Sequence, residues 1–362
     1  MPQRFQFDAS ILNSVVGGHS AIDIPRLNIQ TLEAASAFMQ SYGFDINNEA
    51  HLEELWYYHR RALVLMLEKL DVNDEDIPKE FLDQKSLGDI RKLLLYASSS
   101  AADERHHQKW ACAILRCMHV FVHAENDLFA SFAEEIQAQI LTPFQEGIRH
   151  DGTTHSIHLH SGDVNLKDIQ LKAFEIKPMK TSSSTVIKLL AKPDALAMRI
   201  FDKLGVRFVT NNLFDSFQVV RFLIRENVIS FPHIMPDQSS NNLYPLELFM
   251  EVCTELVQEM DHLTDEIIQK RFDERLAQLG DQAKFLRKEN FFSGSDYRFI
   301  KFIARKLIRV KTPGQGEFSF FYPYEVQIMD QSAHERILSG PSEHQADKER
   351  QRAAARKRLF PE

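Results

Sequence analysis

The stretch "RIFDKLGVRFVT", residues 199 to 210, decides the fold of the second half of the chain. Apolar residues recur at every second position from Leu204 to Phe208, which is the period of a half-buried β-strand. One acid, Asp202, stands ahead of that strand in an Asp-x-x-Gly-x-Arg signature. Asp202 is either a catalytic or binding residue or only the residue that ends a local helix. The segments around it help to decide between these two interpretations.

Strands and helices alternate on both sides of this stretch, as expected for a layered sheet. Further strands are predicted from alternating apolar residues at 169–180, 297–310 and 316–329. Helices are predicted at 181–193, where Pro193 stops the pattern, at 213–227, and in a block from Pro245 to about Asn290. The turn "KTPGQGE" separates the last two strands.

The first 150 residues have the period of amphipathic helices. One helix is predicted behind a capping residue at Asn48, and a second pattern from Trp110 to Ile140 fits one long helix or two placed end to end. Glycine, threonine and histidine interrupt the helical period at 148–166, which indicates an interdomain loop running into a strand.

These patterns predict an α+β protein whose mixed β-sheet is flanked by helices. We expect an N-terminal all-helical bundle over 1–150 and a second domain over 151–362, with a helical insertion at about 245–290. Residues from about 165 to 350 should form the sheet, with Asp202 and Glu325 on neighbouring strands and their carboxylates facing one cleft.

Composition restricts the partners and the compartment. The 362 residues carry a net charge of -8, which gives no general attraction to nucleic acid or to a membrane. The 3 cysteines are odd in number and lack metal-binding spacing, which favours reduced thiols in a cytoplasmic protein. No signal peptide and no run of eighteen apolar residues is visible. The sequence leaves the oligomeric state open.

Two histidine-rich segments raise the question of a metal site. His119 and His123 lie one helical turn apart, but the acid of a His-Glu-x-x-His motif is missing, so packed helix histidines are the simpler interpretation. Residues 149–160 hold four more histidines and Asp151 in the expected loop, and the same judgement applies. Walker, GxGxxG, GxSxG and CxxC motifs are all missing, which excludes the commonest nucleotide, acyl-transfer and redox signatures.

Four segments of the second half occur in an order that resembles the synthetase motifs of RelA/SpoT-type nucleotidyltransferases. This family makes the alarmones guanosine tetra- and pentaphosphate of the stringent response. The segments are "KPMKTSSSTVIKLL" (177–190), "RIFDKLGVRFV" (199–209), "SDYRFIK" (295–301) and "YEVQIMDQSAHERILSGPSEHQADK" (324–348). Together they comprise 57 of the 362 residues, between residues 177 and 348.

The resemblance implies a role for each matching residue. Asp202 would bind Mg²⁺ close to the reacting hydroxyl, and Glu325 would help to activate that hydroxyl and could also contact the metal. The residues that would hold the ATP phosphates are Lys180, Ser184, Lys188 and Arg207. The acceptor-side residues would be Tyr297, which stacks on guanine in the family, Lys301, His344 and Lys348. ATP, a guanosine nucleotide and Mg²⁺ are the ligands that the resemblance implies.

The chemistry favours the same set of residue types. Pyrophosphate transfer from ATP needs a carboxylate for magnesium, a second one for the proton, and lysines for the triphosphate. The alternative interpretation is structural: Asp202 would end a strand, and Glu325 would lie on an exposed sheet face.

The sequence departs from the family's pattern at several positions. Pro178 replaces a basic residue, with Lys177 beside it as a substitute, and Asp296, Lys301 and Met329 differ on the acceptor side. Donor binding is therefore better preserved than acceptor recognition. Three functions compete: a GTP/GDP pyrophosphokinase, a toxin-like enzyme that transfers pyrophosphate to an RNA end, and a catalytically inactive nucleotide-binding regulator.

Two basic segments bear on the RNA alternative. They are "ARKLIRVK" at 304–311 and "KERQRAAARKRL" at 348–359. In an acidic protein each either guides an anionic substrate or offsets acids elsewhere. Lys348, Arg352 and Arg356 form only a short helical stripe, which places the mononucleotide acceptor ahead of RNA.

Overall fold

The computed structural model describes most of the chain. The described ranges are 8–17, 20–126, 131–161, 167–177, 182–192, 201–259, 263–286, 298–312, 316–339 and 344–361, without the side chains of 281, 312, 337–339 and 344–347.

The described residues form an α+β structure of thirteen α-helices and seven strands. The helices are α1 (Ala9–Val15), α2 (Leu32–Tyr42), α3 (Glu49–Lys69), α4 (Gln84–Leu87), α5 (Lys92–Ser98), α6 (Arg105–Glu125), α7 (Ala133–Glu146), α8 (Ser182–Ala191), α9 (Leu213–Arg225), α10 (Leu246–Val257), α11 (Asp265–Leu279), α12 (Gln331–Ser339) and α13 (His344–Leu359). The strands are β1 (Ile148–His150), β2 (Ile157–Leu159), β3 (Ile169–Ile176), β4 (Gly205–Thr210), β5 (Ser240–Asn241), β6 (Ile300–Thr312) and β7 (Gly316–Asp330). The predicted α+β class with a mixed sheet is confirmed.

The chain divides into two compact units. The first comprises residues 1–127, 181–200 and 348–362, and the second comprises 128–180 and 201–347. The predicted boundary near residue 150 does not coincide with this division, because α7 belongs to the second unit. α8 belongs to the first, where it packs on α6 and buries Val186 and Leu190.

In the first unit every regular element of the described part is a helix, and α6 lies at the centre. α3, α5 and α8 all pack against it. The Asn48 side chain accepts hydrogen bonds from the amides of Ala50 and His51, so α3 begins where the sequence predicts. Its apolar stripe is buried as expected at Leu55, Trp56, His59, Leu63, Met66 and Leu70.

The second unit is built on a seven-stranded sheet with the order β1-β2-β3-β4-β7-β6-β5. Only β4 and β7 run parallel in the described sheet, and the other neighbours pair antiparallel. One face of the central strands carries rows of apolar residues, among them Val206, Phe208, Val326 and Ile328, each fully buried. These residues belong to a core shared with α7, α9, α10 and α11.

The predicted interdomain loop that runs into a strand contains two strands in its described part, 148–161, where β1 and β2 form a hairpin. Ile148 pairs with Leu159 and His150 with Ile157. The connecting turn is closed by Asp151, whose Oδ1 accepts hydrogen bonds from the amides of Thr153 and Thr154. Polar side chains in this segment therefore close a turn, and the apolar residues between them extend the sheet by two short strands.

The two long strands β6 and β7 form one antiparallel hairpin whose register is continuous from Ile300–Ile328 to Thr312–Gly316. The predicted turn within "KTPGQGE" falls at 313–315, which lie outside the described residues. Because side chains of a strand alternate between the two faces, the long β6–β7 hairpin contributes residues to both faces of the sheet.

Candidate functional site

The parallel pair β4–β7 brings the two signature strands together. Gly205 lies opposite Glu325, and the Glu325 amide donates to the Leu204 carbonyl at 2.9 Å. Asp202 lies three residues before Gly205, in the segment that leads into β4. The Asp-x-x-Gly-x-Arg and Glu-Val-Gln-Ile segments are therefore direct neighbours in the sheet.

A polar row crosses four strands on one face of the sheet. Glu175 of β3 is paired with Arg207 of β4, Arg207 with Gln327 of β7, and Gln327 with Lys301 of β6. Residues paired across strands share a face, so all four side chains lie on one side. Arg207 connects the row: its Nε donates to Gln327 Oε1 at 3.1 Å and its Nη1 to Glu175 Oε2 at 3.0 Å. We call this surface the polar face.

Glu325 is the buried acid of the polar face, with 5% of its surface exposed. Lys177 donates from Nζ to its Oε1, and Lys301 Nζ lies 3.8 Å from its Oε2. Burying a carboxylate without a neutralising partner costs roughly several kcal/mol of folding free energy. The two ammonium groups therefore explain how Glu325 can be buried with its charge. The structural interpretation of the sequence, in which Glu325 lies on an exposed sheet face, is wrong.

Gly205 explains how Lys177 and Glu325 can approach each other. A Cβ atom at this position would lie 3.0 Å from the Glu325 carbonyl oxygen, 3.2 Å from its Cβ and 3.4 Å from Lys177 Cδ. The first two distances are tighter than ordinary contacts. The glycine of the signature therefore leaves the space in which the lysine side chain crosses from β3 to β7.

The carboxylates of Asp202 and Glu325 influence each other. Burial raises the pKa of Glu325, Lys177 and Lys301 lower it, and Asp202 raises it again, with a pKa below the ordinary glutamate value as the net result. The Oδ1 atom of Asp202 is itself shielded from solvent. The charges of the two carboxylates are thus offset by those of the two ammonium groups in one partly buried cluster.

The described residues include most, but not all, of the predicted site residues. Asp202, Arg207, Lys301 and Glu325 belong to the polar face or its border, within the second unit. Ser184 and Lys188 lie on α8 and Lys348 on α13, all in the first unit. Lys180 and Tyr297 fall outside the described residues, as does the side chain of His344.

Sequence reasoning missed three members of the cluster as site residues. Lys177 was considered only as a substitute for the basic residue at Pro178, and Glu175 and Gln327 were not considered. The signal that could have identified them is the strand period: Glu175 and Lys177, like Glu325 and Gln327, are two residues apart and share a face. His334 of α12 joins the cluster from outside the sheet, with Nε2 3.6 Å from Glu175 Oε1.

The donor set determines which metal the cluster suits. Within the described residues no group of three or more His, Cys, Asp or Glu side chains could hold a metal ion. Asp202 and Glu325 supply two carboxylates, and Mg²⁺ is commonly held by one or two carboxylates together with substrate phosphates. The pair is therefore a partial ligand set for a magnesium ion.

The histidine segments of the first unit contain packed side chains. His119 Nδ1 lies 2.6 Å from Tyr42 Oη, and the His119 and His123 rings are in edge contact. Burial, followed by the charge of His123, lowers the pKa of His119 to about 4. The His119 ring is thus held neutral by its surroundings at physiological pH.

Comparison with known proteins adds no family. No protein-family model matches the chain, and no curated protein matches it either. Among the described helices, none combines the length and the apolar character needed to span a bilayer. The assignment of function therefore depends on the residues of the polar face and their chemistry.

Proposed function

We propose that this chain is a divergent nucleotidyltransferase similar to the RelA/SpoT synthetases, and that it transfers pyrophosphate from ATP to a hydroxyl of a guanosine nucleotide. The observation that carries the proposal is the buried Glu325 carboxylate, held between Lys177 and Lys301 and influenced by Asp202. Such a concentration of opposite charges at the junction of two signature strands is typical of a site that handles a charged ligand.

The charges of the cluster suit a magnesium triphosphate. Asp202 would hold Mg²⁺, which would offset the negative charge of the transferred phosphates, and Glu325 could also contact the metal. Lys177 neutralises Glu325 in this structure and has a flexible side chain that can turn to a phosphate oxygen instead. Nucleotide binding would then exchange one set of ion pairs for another without leaving a buried charge uncompensated.

In this proposal Glu325 would accept the proton of the acceptor hydroxyl. The acceptor oxygen would form a bond to the β-phosphorus, the bond from that phosphorus to the bridging α–β oxygen would break, and AMP would leave. Because the two lysines lower the pKa of Glu325, the carboxylate is a weak base in this state. Transfer of Lys177 and Lys301 to phosphate oxygens would raise that pKa and strengthen the base when substrate is bound.

The remaining predicted residues complete the proposal. Arg207 is held by Glu175 and Gln327 next to the acids and would contact the donor phosphates. The resemblance assigns Lys180, Ser184 and Lys188 to the same ligand. Lys301 is adjacent to Glu325, which suits its predicted place on the acceptor side. The other acceptor-side candidates are Tyr297, His344 and Lys348.

One observation favours the RNA alternative as a second candidate. Three exposed cations of β6, Arg305, Arg309 and Lys311, share the face of Lys301, and the Arg305 guanidinium lies 5.3 Å from the centre of the exposed Phe321 ring. Cations beside an aromatic ring are typical of single-stranded nucleic-acid surfaces. The track is short, because Arg309 is paired with Glu317 at 2.8 Å and Lys306 lies on the other face.

The second basic segment contributes less than its composition suggests. Arg358 of α13 is 10% exposed and donates to Asp23 and to the carbonyls of Leu189, Leu190 and Lys192, all within the first unit. Its charge is used to hold helices together. The guanosine nucleotide therefore remains the first acceptor and an RNA end the second.

An acceptor screen tests the proposal. Purified protein is incubated with Mg²⁺ and ATP labelled in the γ-phosphate, together with GMP, GDP, GTP or RNA, and labelled products are separated. The proposal expects label in a guanosine nucleotide. Label in RNA alone would establish the second candidate, and Mg²⁺-dependent ATP binding without transfer to any acceptor would favour a regulatory, catalytically inactive protein.

A further inference from the structure

A second feature lies at the other end of β4 and β7. A cavity of about 360 Å³ is bordered by Asn211, which follows β4, and by Asp330, which ends β7. Five residues along each strand separate this end from the Gly205–Glu325 pair, a distance of about 16 Å at 3.3 Å per residue. We call this cavity the distal pocket.

Its position is one at which sheets bind ligands. In open sheets, ligands bind beyond the carboxyl ends of parallel strands. β4 and β7 are the one parallel pair of the described sheet, and the distal pocket lies at their carboxyl ends. The volume falls within the range of about 300 to 1,000 Å³ that small-molecule sites occupy.

Two arginines give the pocket its chemistry. Arg298 and Arg336 both line it, and neither guanidinium has a hydrogen-bond or ion-pair partner among the residues that the structure describes. Guanidinium groups bind phosphate oxygens in pairs of hydrogen bonds. Two of them on one cavity supply paired donors for the oxygens of a phosphate group.

Two acids on the same lining keep a free acceptor position. Asp273 Oδ1 accepts from Gln269 Nε2 at 3.0 Å, and Asp330 Oδ1 accepts from the Ala333 amide at 2.7 Å. In each case the other carboxylate oxygen can accept from a hydroxyl or a ring N–H. Leu213, Leu243 and Leu276 supply the apolar part of the wall.

We infer that the distal pocket binds a phosphate monoester of a nucleoside or a sugar. Arg298 and Arg336 take the phosphate, and Asp273 and Asp330 accept from hydroxyl or base donors at the other end of the molecule. This site is separate from the polar face, and its ligand does not take part in the chemistry proposed there.

Calorimetric titration tests the inference. AMP, GMP, ribose 5-phosphate and inorganic phosphate are titrated into the full chain without Mg²⁺. At least one ester should bind more tightly than inorganic phosphate, and the Arg298→Gln/Arg336→Gln double variant should weaken it by at least about tenfold, as expected for lost charged hydrogen bonds. A preference for the nucleotides over ribose 5-phosphate would identify a nucleoside ester, and equal binding a sugar phosphate.

Three controls decide the outcome. Arg221→Gln removes the same charge from an exposed position of α9 outside the pocket and should keep wild-type affinity. Lys177→Gln alters the polar face and should also leave this binding unchanged, which separates the two sites. The Arg298→Lys/Arg336→Lys variant should retain part of the affinity. Absence of ester binding, equal affinity in the glutamine double variant, or loss of binding in Lys177→Gln would overturn the inference.

Discussion

The two units bury charge in different ways. In the first unit, Arg116 is 7% exposed and donates to the carbonyl oxygens of Leu359 and Ile24, each at 2.8 Å. In the second unit, Glu325 is 5% exposed and is neutralised by two lysine side chains. Backbone carbonyls are fixed acceptors, whereas lysine ammonium groups can change partners. The comparison supports a structural role for the first charge, whereas the second is the one for which we propose an exchange of partners with a ligand.

The largest expected effect is on the acids of the polar face. Asp202→Asn and Glu325→Gln should each lower pyrophosphate transfer by at least about 100-fold, because the amides keep size but remove charge. The midpoint temperature of thermal unfolding should change by only a few degrees, since Glu325→Gln also removes a buried charge. Initial rates and calorimetric scans measure the two effects. Equal loss of stability and activity would mean that Glu325, like Arg116, serves the fold.

The opposite outcome is expected for the buried arginine. Arg116→Met should lower the free energy of unfolding by about 3 kcal/mol, because two carbonyls lose a charged donor. Denaturant titration gives this value. The activity of the fraction that remains folded should match wild type. A selective loss of transfer in a stably folded Arg116→Met variant would break the distinction between the two buried charges.

Lys177 tests whether the carboxylate is controlled by its partners. The folded pKa of Glu325 is lowered, so the stability that its charge contributes is present above the unfolded pKa of about 4.3 and is lost as pH falls through the folded value. Lys177→Gln should raise that pKa and move the acid limb of the pH–activity profile upward. Arg309→Gln removes the same charge elsewhere and should leave the acid limb of the pH–activity profile in place. An unchanged acid limb in Lys177→Gln would contradict the role of Lys177.

A smaller effect on stability and turnover is expected at Gly205, which lies beside Lys177 and Glu325. Gly205→Ala introduces a Cβ 3.0 Å from the Glu325 carbonyl oxygen, so the local backbone must shift. We expect a loss of about 1 to 2 kcal/mol in the free energy of unfolding and a lower turnover. Gly152→Ala, where a Cβ meets nothing within 4 Å, is the matched control. Equal stability of the two variants would show that the close approach at Gly205 is not required.

The smallest effect concerns a carboxyl outside both sites. Burial, followed by the charge of Asp265, raises the pKa of Asp215 to about 6. A raised folded pKa means that the contribution to stability is full below the unfolded pKa of about 3.8 and is lost as pH rises through the folded value. Asp215→Asn should therefore be more stable than wild type at pH 7, and the difference should vanish near pH 4. Thermal scans across this range provide the test.

Much of the fold could be predicted from the sequence because periodicity is a local property. The strand that contains Val206 and Phe208 and the helix behind Asn48 appear where their patterns place them. Lys177 shows the limit: its partnership with Glu325, 148 residues away, depends on which strands become neighbours. The order in which β7 enters between β4 and β6 is set by long-range pairing, which the local period of a single strand does not contain. The grouping of α8 with the first unit depends on packing for the same reason.

The central claim is that Glu325 acts in pyrophosphate transfer. The most direct measurement is to incubate wild type, Glu325→Gln and a control, Glu247→Gln, which alters an exposed acid of α10, with labelled ATP, Mg²⁺ and GDP. AMP and labelled guanosine product are then counted together. The account predicts one AMP for each labelled product in wild type and control, and at least about 100-fold less of both in Glu325→Gln. Equal product from all three proteins, or AMP released without a labelled guanosine nucleotide, would contradict it.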